Sequence, residues 1–276
     1  MVRLVGVGDN TVDRYLHAGV MYPGGNAVNV AALARRYCAE SSYIGWLGRD
    51  PHGDLILRAL AEEGVDTSRC RVLDGPNAYC EVDLVDGDRV FRGSHPGVRS
   101  LIRLDEDDLA FIGGFDVAHT SIYSFLEPQL PALGVAAEVL SFDYSQSWSE
   151  DYLKATLPYV DVAFLSAPTL SRAEVEGLMS RVRRMGPGLA VVTRGGGGAS
   201  AYDGRVVCHQ PSAEAEVVDT LGAGDAFAAR LLVERHRGGS LAESMVLAAL
   251  SAAETCGYYG AWGHGEPLWD LKSKER

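Results

Sequence analysis

The residues best suited to chemistry lie in the last quarter of the chain, where Asp219-Thr220-Leu221-Gly222-Ala223-Gly224-Asp225 runs into Ala226-Phe227. A turn of small residues that opens a helix leaves backbone N–H groups unpaired at the positive end of the dipole. Gly222, Ala223 and Gly224 would then cradle an anion, and Asp225 beside them would accept the proton of an attacking hydroxyl, the arrangement phosphoryl transfer needs. An acidic first turn that only stabilises its own helix reads equally well from these residues alone.

Three further groups carry chemical potential. Asp9 and Asp13 follow the first apolar run and would present two carboxylates to vicinal hydroxyls, or stand as solvated loop acids. Gly24-Gly25-Asn26-Ala27-Val28-Asn29 is a glycine turn entering a helix, with Asn29 one turn in and the glycines removing side chains where a ligand would approach. Thr193-Arg194-Gly195-Gly196-Gly197-Gly198 joins two strand-like runs, where glycines would free amides for nucleotide phosphates or simply turn a hairpin. Arg194 faces phosphate or solvent, and the Asp86-Gly87-Asp88 turn lies between alternating runs Ala78–Leu84 and Arg89–Arg92.

The elements that must position these groups follow from the apolar pattern. Continuous runs such as Leu4–Val7, Tyr43–Leu47, Val160–Leu165 and Leu189–Thr193 alternate with helical patterns at Ala27–Tyr37, Leu55–Glu63 and Ala173–Arg184. Strands that are apolar on both faces, separated by helices, predict an α/β fold with a doubly wound, mainly parallel sheet. The half-polar hairpin near 77–93, joined by a short strand near Tyr15–Val20, reads as a small β-hairpin lid. The pattern therefore predicts one domain over residues 1–262 with a lid from about 13–20 and 77–93, then a loose polar tail at 263–276. Helices are expected at Ala223–Arg237 and at Leu241–Gly257, the second opened by the capping box Ser240-Leu241-Ala242-Glu243.

Composition narrows the function. The chain has 276 residues, 47% hydrophobic and 22% charged, with 25 basic against 37 acidic residues and a net charge of −12. Such a field disfavours nucleic acid, so an anionic ligand must be held locally by amides, a few arginines or a metal ion. The three lysines are Lys154, Lys272 and Lys274, none of which follows a glycine, which excludes a Walker-type phosphate loop. Gly6-Val7-Gly8 lacks the third glycine of a dinucleotide site. The five cysteines form no Cys-x-x-Cys pair and read as buried reduced thiols. No signal-like N-terminus and no apolar run of about 18 residues is present, so a cytoplasmic protein without a membrane partner is expected.

Asp219-Thr220-x-Gly222-Ala223-Gly224-Asp225 and Gly24-Gly25-x-x-x-Asn29 together resemble the signatures of the ribokinase-like, PfkB-type carbohydrate kinases. That resemblance implies an ATP- and Mg2+-dependent kinase of a small sugar, with Asp225 as base and the Gly222, Ala223 and Gly224 amides on the transferred phosphoryl group. It implies sugar contacts from Asp9, Asp13, Gly25, Asn29 and the lid residue Arg92, and ATP contacts from Thr193, Gly195, Gly198 and Thr220. Ala248, Ala252 and Cys256 would leave room for adenine or pack in the core. His95 reads as an exposed loop histidine. The family's Asn-x-x-Glu segment is replaced by Ser166-Ala167-Pro168-Thr169, which leaves the magnesium residues unassigned, with Glu174 nearby in sequence.

The Ser-Ala-Pro segment, Gly8-Asp9-Asn10-x-Val12-Asp13, Asp88-Arg89-Val90-Phe91 and Tyr258-Tyr259-Gly260-Ala261-Trp262 are similar to the fructoselysine 6-kinase branch. O6 of fructoselysine or a related fructosamine is then the expected acceptor. A kinase of ribose, fructose or a nucleoside, or a non-catalytic sugar- or nucleotide-binding regulator, remains open. The resemblance also allows a homodimer formed through the lids.

Overall fold

The computed structural model describes residues 1–85 and 88–268. In chain order the strands and helices are β1 (Arg3–Val7), β2 (Thr11–Tyr15), β3 (Val20–Gly24), α1 (Asn26–Arg36), β4 (Glu40–Ile44), β5 (Trp46–Gly48), α2 (Pro51–Glu63), β6 (Arg71–Leu73), β7 (Tyr79–Val85), β8 (Asp88–His95), α3 (Glu106–Ile112), β9 (Val117–Ser121) and α4 (Leu130–Ala136). The remainder are β10 (Leu140–Asp143), α5 (Glu150–Thr156), β11 (Val162–Ser166), α6 (Arg172–Arg184), β12 (Leu189–Thr193), β13 (Ala199–Tyr202), β14 (Val207–Gln210), α7 (Ala223–His236), α8 (Leu241–Thr255) and β15 (Glu266–Pro267).

Eight strands form the main sheet in the order β14-β13-β12-β11-β10-β9-β1-β4. Every pair from β12 to β4 is parallel, and β13 and β14 extend one edge antiparallel. Successive side chains point to opposite faces, and both faces are buried. Leu4, Phe164 and Val191 join the core built with α1, α2, α7 and α8. Their neighbours Val5, Leu165 and Val192 join a second core built with α3, α4, α5 and α6. The doubly wound α/β expectation is thus met, and the parallel strands deliver their C-terminal ends, including Asp143, Ser166 and Thr193, to one rim.

A second sheet, ordered β15-β3-β2-β7-β8, stands off the main one. It is larger than the small hairpin expected. Tyr15–Val20 is not a strand: Tyr15 and Val20 are a paired rung closing the Leu16–Gly19 turn, and the strands lie on either side. Gly19 sits at φ +62°, a left-handed value that glycine meets at little cost. β7 joins β2 in parallel, and β8 returns antiparallel with a register shift between Glu81 and Val82. The turn at Asp86-Gly87 lies outside the described residues.

The C-terminal segment also departs from expectation. Glu266 and Pro267 pair with Met21 and Val20, and Leu268 packs on the first core, so 263–268 belongs to the fold. Positions 269–276 lie outside the described residues. The run Tyr43–Leu47 divides at Gly45, β4 staying in the main sheet and β5 pairing with β6. The cysteines are all unpaired, but Cys38 is exposed and the other four are only partly covered, contrary to the buried expectation. Among the described residues, no helix is long and apolar enough to cross a membrane.

Candidate active site

The turn before α7 is set by Gly222. It caps the helix at φ +76°, and a Cβ there would come within 2.6 Å of the Ala261 Cα. A side chain is excluded by conformation and by space together. The Gly222 carbonyl accepts from Ala226 N at 2.8 Å, beginning the helix, while Ala223 N donates back to Thr220 O at 3.4 Å. Ala223 therefore spends its amide on closing the turn, weakly, and of the three amides expected to hold an anion those of Gly222 and Gly224 donate to no group among the described residues. Asp219 braces the turn from beneath: its carboxylate accepts from Leu221 N at 3.0 Å, Gly260 N at 3.1 Å and the Tyr15 hydroxyl at 2.5 Å. Strand β2 of the second sheet is thereby tied to the turn before α7.

Asp225 occupies the first turn of α7 and keeps an edge open to the cleft. Asn26 Nδ2 donates to its Oδ1 at 2.7 Å and Asn29 Nδ2 to its Oδ2 at 2.6 Å. Burial raises its carboxyl to about 7, with the charges of Asp143 and Asp9 pushing the same way and the two amides opposing. Asp143, at the end of β10, is raised to about 6 by burial as well, and Asn26 Nδ2 donates to it at 3.0 Å. A carboxylate balanced near neutrality is the property a general base requires.

The sugar-side expectations divide. Asn29 lies beside Asp225, and its Oδ1 accepts the Trp262 indole N–H at 2.8 Å. One of its two amide hydrogens remains for a ligand. Asp13 is 6% exposed, and a Cβ on Gly24 would overlap its carboxyl. Gly25, at φ +112°, would drive a Cβ to 2.6 Å from the Asn10 Cα. The two glycines therefore make room for Asp13 and Asn10, which is a packing reason rather than the ligand approach read from the sequence.

Asp9 is 2% exposed and its carboxylate already accepts four bonds: Asn26 N at 2.6 Å, Ala27 N at 3.1 Å, Ser121 Oγ at 2.7 Å and Ser124 Oγ at 3.0 Å. Three of these fall on Oδ1 and one on Oδ2, and with 2% exposure Asp9 is committed to the start of α1 and to the two serines. Arg92 is exposed on β8, 3.4 Å from the Asp83 carboxylate, and the structure does not bring it to the other site residues.

The nucleotide-side residues do converge. Thr193, Gly195, Gly198 and Thr220 line one cleft of about 610 Å³ with Asp143, Ser166, Ala223, Gly224 and Asp225. Gly197 N and Gly198 N close their own turn onto Arg194 O and Gly195 O. Arg194 is likewise tied to Gly197 O at 2.8 Å, not to the cleft. Ala252 and Cys256 line the far end of the cleft with Ala249 and Ala253, whereas Ala248 is buried in the helical core. Glu174 is committed elsewhere, as the capping-box partner of Ser171 on α6. Among the described residues no three His, Cys, Asp or Glu side chains cluster as a metal cage.

Sequence reasoning missed Asn26 and Asp143 beside Asp225, and the bond that Trp262, quoted only within a branch motif, makes to Asn29. Asn26 stood inside the quoted glycine motif, and its polarity at a helix start was the available signal; the other two carry none for these contacts locally. A turn with two unbonded amides, a buried carboxylate raised toward neutrality at its edge and a cleft of small residues beside it is an arrangement that can move a phosphoryl group to a hydroxyl. Residues 1–265 match the pfkB family carbohydrate kinases, and the chain belongs to that family.

Among its relatives, fructosamine kinase FrlD of Bacillus subtilis (strain 168) is 43% identical over 281 residues, covering 100% of this chain and 99% of the relative. Fructoselysine 6-kinase of Escherichia coli (strain K12) is 36% identical over 266 residues, covering 95% of this chain and all of the relative. The fold is shared with the Arabidopsis thaliana ribokinase complexed with ribose and ATP, at a TM-score of 0.83 and 22% identity over 95% of each chain.

Proposed function

We propose that the protein transfers the γ-phosphoryl group of ATP to O6 of fructoselysine or a related fructosamine. The observation that carries this reading is Asp225, raised to about 7 and held by two amides between the Gly222–Gly224 turn and the Asn29 side of the site. The narrower choice of acceptor is supported by the fructosamine and fructoselysine kinases that match along nearly the whole chain.

In this reading Asp225 takes the proton of the attacking hydroxyl, while the N–H groups of Gly222 and Gly224 stabilise charge on the transferred phosphoryl oxygens. Asn29 and Asp13 hold the sugar, and Gly25 gives their turn its shape. Thr193, Gly195, Gly198 and Thr220 border ATP, with Ala249, Ala252, Ala253 and Cys256 leaving room for its base. The lid strands β2, β3, β7 and β8 exclude water that would otherwise take the phosphoryl group. Arg92 enters the site only if the lid moves.

A magnesium ion carried on the phosphates keeps several waters and needs one or two carboxylates, a demand that Asp143 beside Ser145, Gln146 and Ser166 fits. Bound there, it would neutralise charge on the β- and γ-phosphates. The edge strand β8 exposes Ser94 and His95 and would pair with a second copy as a homodimer. The five unpaired thiols suit a cytoplasmic setting.

The test is ADP release with Mg-ATP against fructoselysine, other fructosamines, fructose, ribose and nucleosides. Selective turnover of a fructosamine is expected. Turnover of ribose or a nucleoside instead would move the acceptor, and ATP binding without any turnover would overturn the catalytic reading.

A further inference from the structure

His119 is buried at the centre of the main sheet on β9, opposite Ser141 on β10, and no step described above uses it. Its Nε2 lies 2.9 Å from Asn26 Oδ1 and its Nδ1 2.9 Å from Ser141 Oγ. On its far side, the same Asn26 amide donates to Asp225 and to Asp143. Five residues thus form one line, from a serine hydroxyl through an imidazole and an amide to two carboxylates.

With both carboxylates ionised, the state in which Asp225 can take a proton, the polarity of that line is fixed. Ionised carboxylates only accept, so the Asn26 NH2 must face Asp143 and Asp225 and its oxygen must face the imidazole. An oxygen there needs a donor, which places the His119 proton on Nε2 and leaves Nδ1 to accept from the Ser141 hydroxyl. Burial holds the imidazole down to about 4, so it stays neutral and keeps one donor and one acceptor. The charged groups around it are Asp9 from the loop after β1, Asp143 at the end of β10 and Asp225 from α7; α1 faces it with Asn26 and β11 with the edge of Phe164.

Asn29 is keyed in the same manner by a different residue. The Trp262 indole can only donate, so Asn29 must offer it oxygen and turn NH2 toward Asp225. Each amide that holds the base is therefore oriented from behind by its own N–H donor.

We infer that His119 is a positioning residue for the phosphoryl transfer, acting through Asn26: it fixes the amide so that both N–H groups bridge Asp143 and Asp225. Without that donor the buried Asn26 oxygen loses its partner, and the amide is no longer pinned from behind. Displacement of the amide toward another donor would lengthen its bonds to the carboxylates and release Asp225 from its alignment with the incoming hydroxyl. The inference rests on Asp225 acting as the base.

The experiment measures kcat and KM for ATP and fructoselysine in the full chain for His119→Leu, His119→Gln, Asn26→Ala and the His119→Leu/Asn26→Ala double variant, with Asp225→Ala in parallel. His119→Leu is expected to lose about 10- to 100-fold in kcat, as small misplacements of a catalytic group do, with both KM values little changed. His119→Gln retains an N–H at the same reach and should recover most of the activity. The double variant should be no worse than Asn26→Ala alone, because His119 acts through the amide that is already gone.

A kcat for His119→Leu equal to that of the parent would overturn the inference. So would full additivity in the double variant, or a Gln variant as poor as Leu, since each assigns His119 to packing alone. If His119→Leu fails to fold, the comparison of Gln with the parent, in the presence and absence of Asn26, decides the same question. Substantial activity in Asp225→Ala would instead remove the base on which the inference rests, and so separates the two failures.

Discussion

Replacing Asn29 by Ala removes one interaction whose loss has a calculable signature. Asn29 donates to the Asp225 carboxylate at 2.6 Å, a bond that favours the ionised form. Hydrogen bonds to charged groups contribute about 1.5–3 kcal/mol, and about 1.4 kcal/mol corresponds to one pKa unit. Removing this one should raise the Asp225 carboxyl from about 7 by roughly one to two units. The base works deprotonated, so kcat is flat above its pKa and falls below it; a higher pKa moves the falling limb to higher pH. At pH 7 about half of the parent is ionised but only roughly 1–10% of the variant, a loss of about 5- to 50-fold that should largely disappear near pH 9.5.

The assay is coupled ADP release from pH 6 to 9.5 at saturating Mg-ATP and acceptor, with KM for the acceptor followed separately. A loss of equal size at every pH, or a limb displaced to lower pH, would refute the reasoning. The same substitution strands the buried Trp262 N–H, which costs about 1–3 kcal/mol. Thermal denaturation should therefore show a Tm lower by roughly 2–12 °C.

Three other outcomes follow. Gly222→Ala meets Ala261 and an unfavourable φ, and should lower both Tm and kcat by about 100-fold or more in the latter; Gly224→Ala meets nothing, and should keep or raise Tm while raising KM for ATP, as calorimetry and kinetics will show. Asp9→Ala leaves four donors without their acceptor and should lower Tm by several degrees while hardly altering KM for the sugar, which equilibrium denaturation and kinetics together would check. Because Asp225 is raised above its ordinary value, the folded state binds more protons than the unfolded state between about pH 4 and 7. Parent stability contributed by this group is thus lost as pH rises through that window, and the Tm of Asp225→Ala relative to the parent should climb from pH 4 to pH 8 in differential scanning.

What could be read from the sequence was what lies close together along it. The Gly222–Asp225 turn, the Gly24–Asn29 helix start and the Thr193–Gly198 loop are each a few residues long, and their glycines and acids declare turns and dipole ends locally. The parallel sheet was legible because Leu4–Val7 and Leu189–Val192 carry no polar side chain at any position. The partners of the base were not, because Asn26 and Asp225 stand 199 residues apart and Trp262 and Asn29 stand 233 apart. Asp9 looked like a ligand acid because nothing nearby announces Ser121 at the end of β9 and Ser124 just after it, whose hydroxyls bind it.

Short elements failed for a related reason. The seven-residue helices α3 and α5 complete barely two turns, so no apolar period develops, although Asp105 and Ser149 cap them. The two-residue strand β15 is formed only by pairing with β3.

The central claim is that Asp225 is the base for phosphoryl transfer in a fructosamine kinase, and its most direct test is steady-state ADP release by Asp225→Ala beside the parent with Mg-ATP and fructoselysine. Turnover by the parent is expected, with a loss of at least about 10²- to 10⁴-fold in kcat for the variant and ATP binding retained. Turnover by Asp225→Ala close to that of the parent would contradict it.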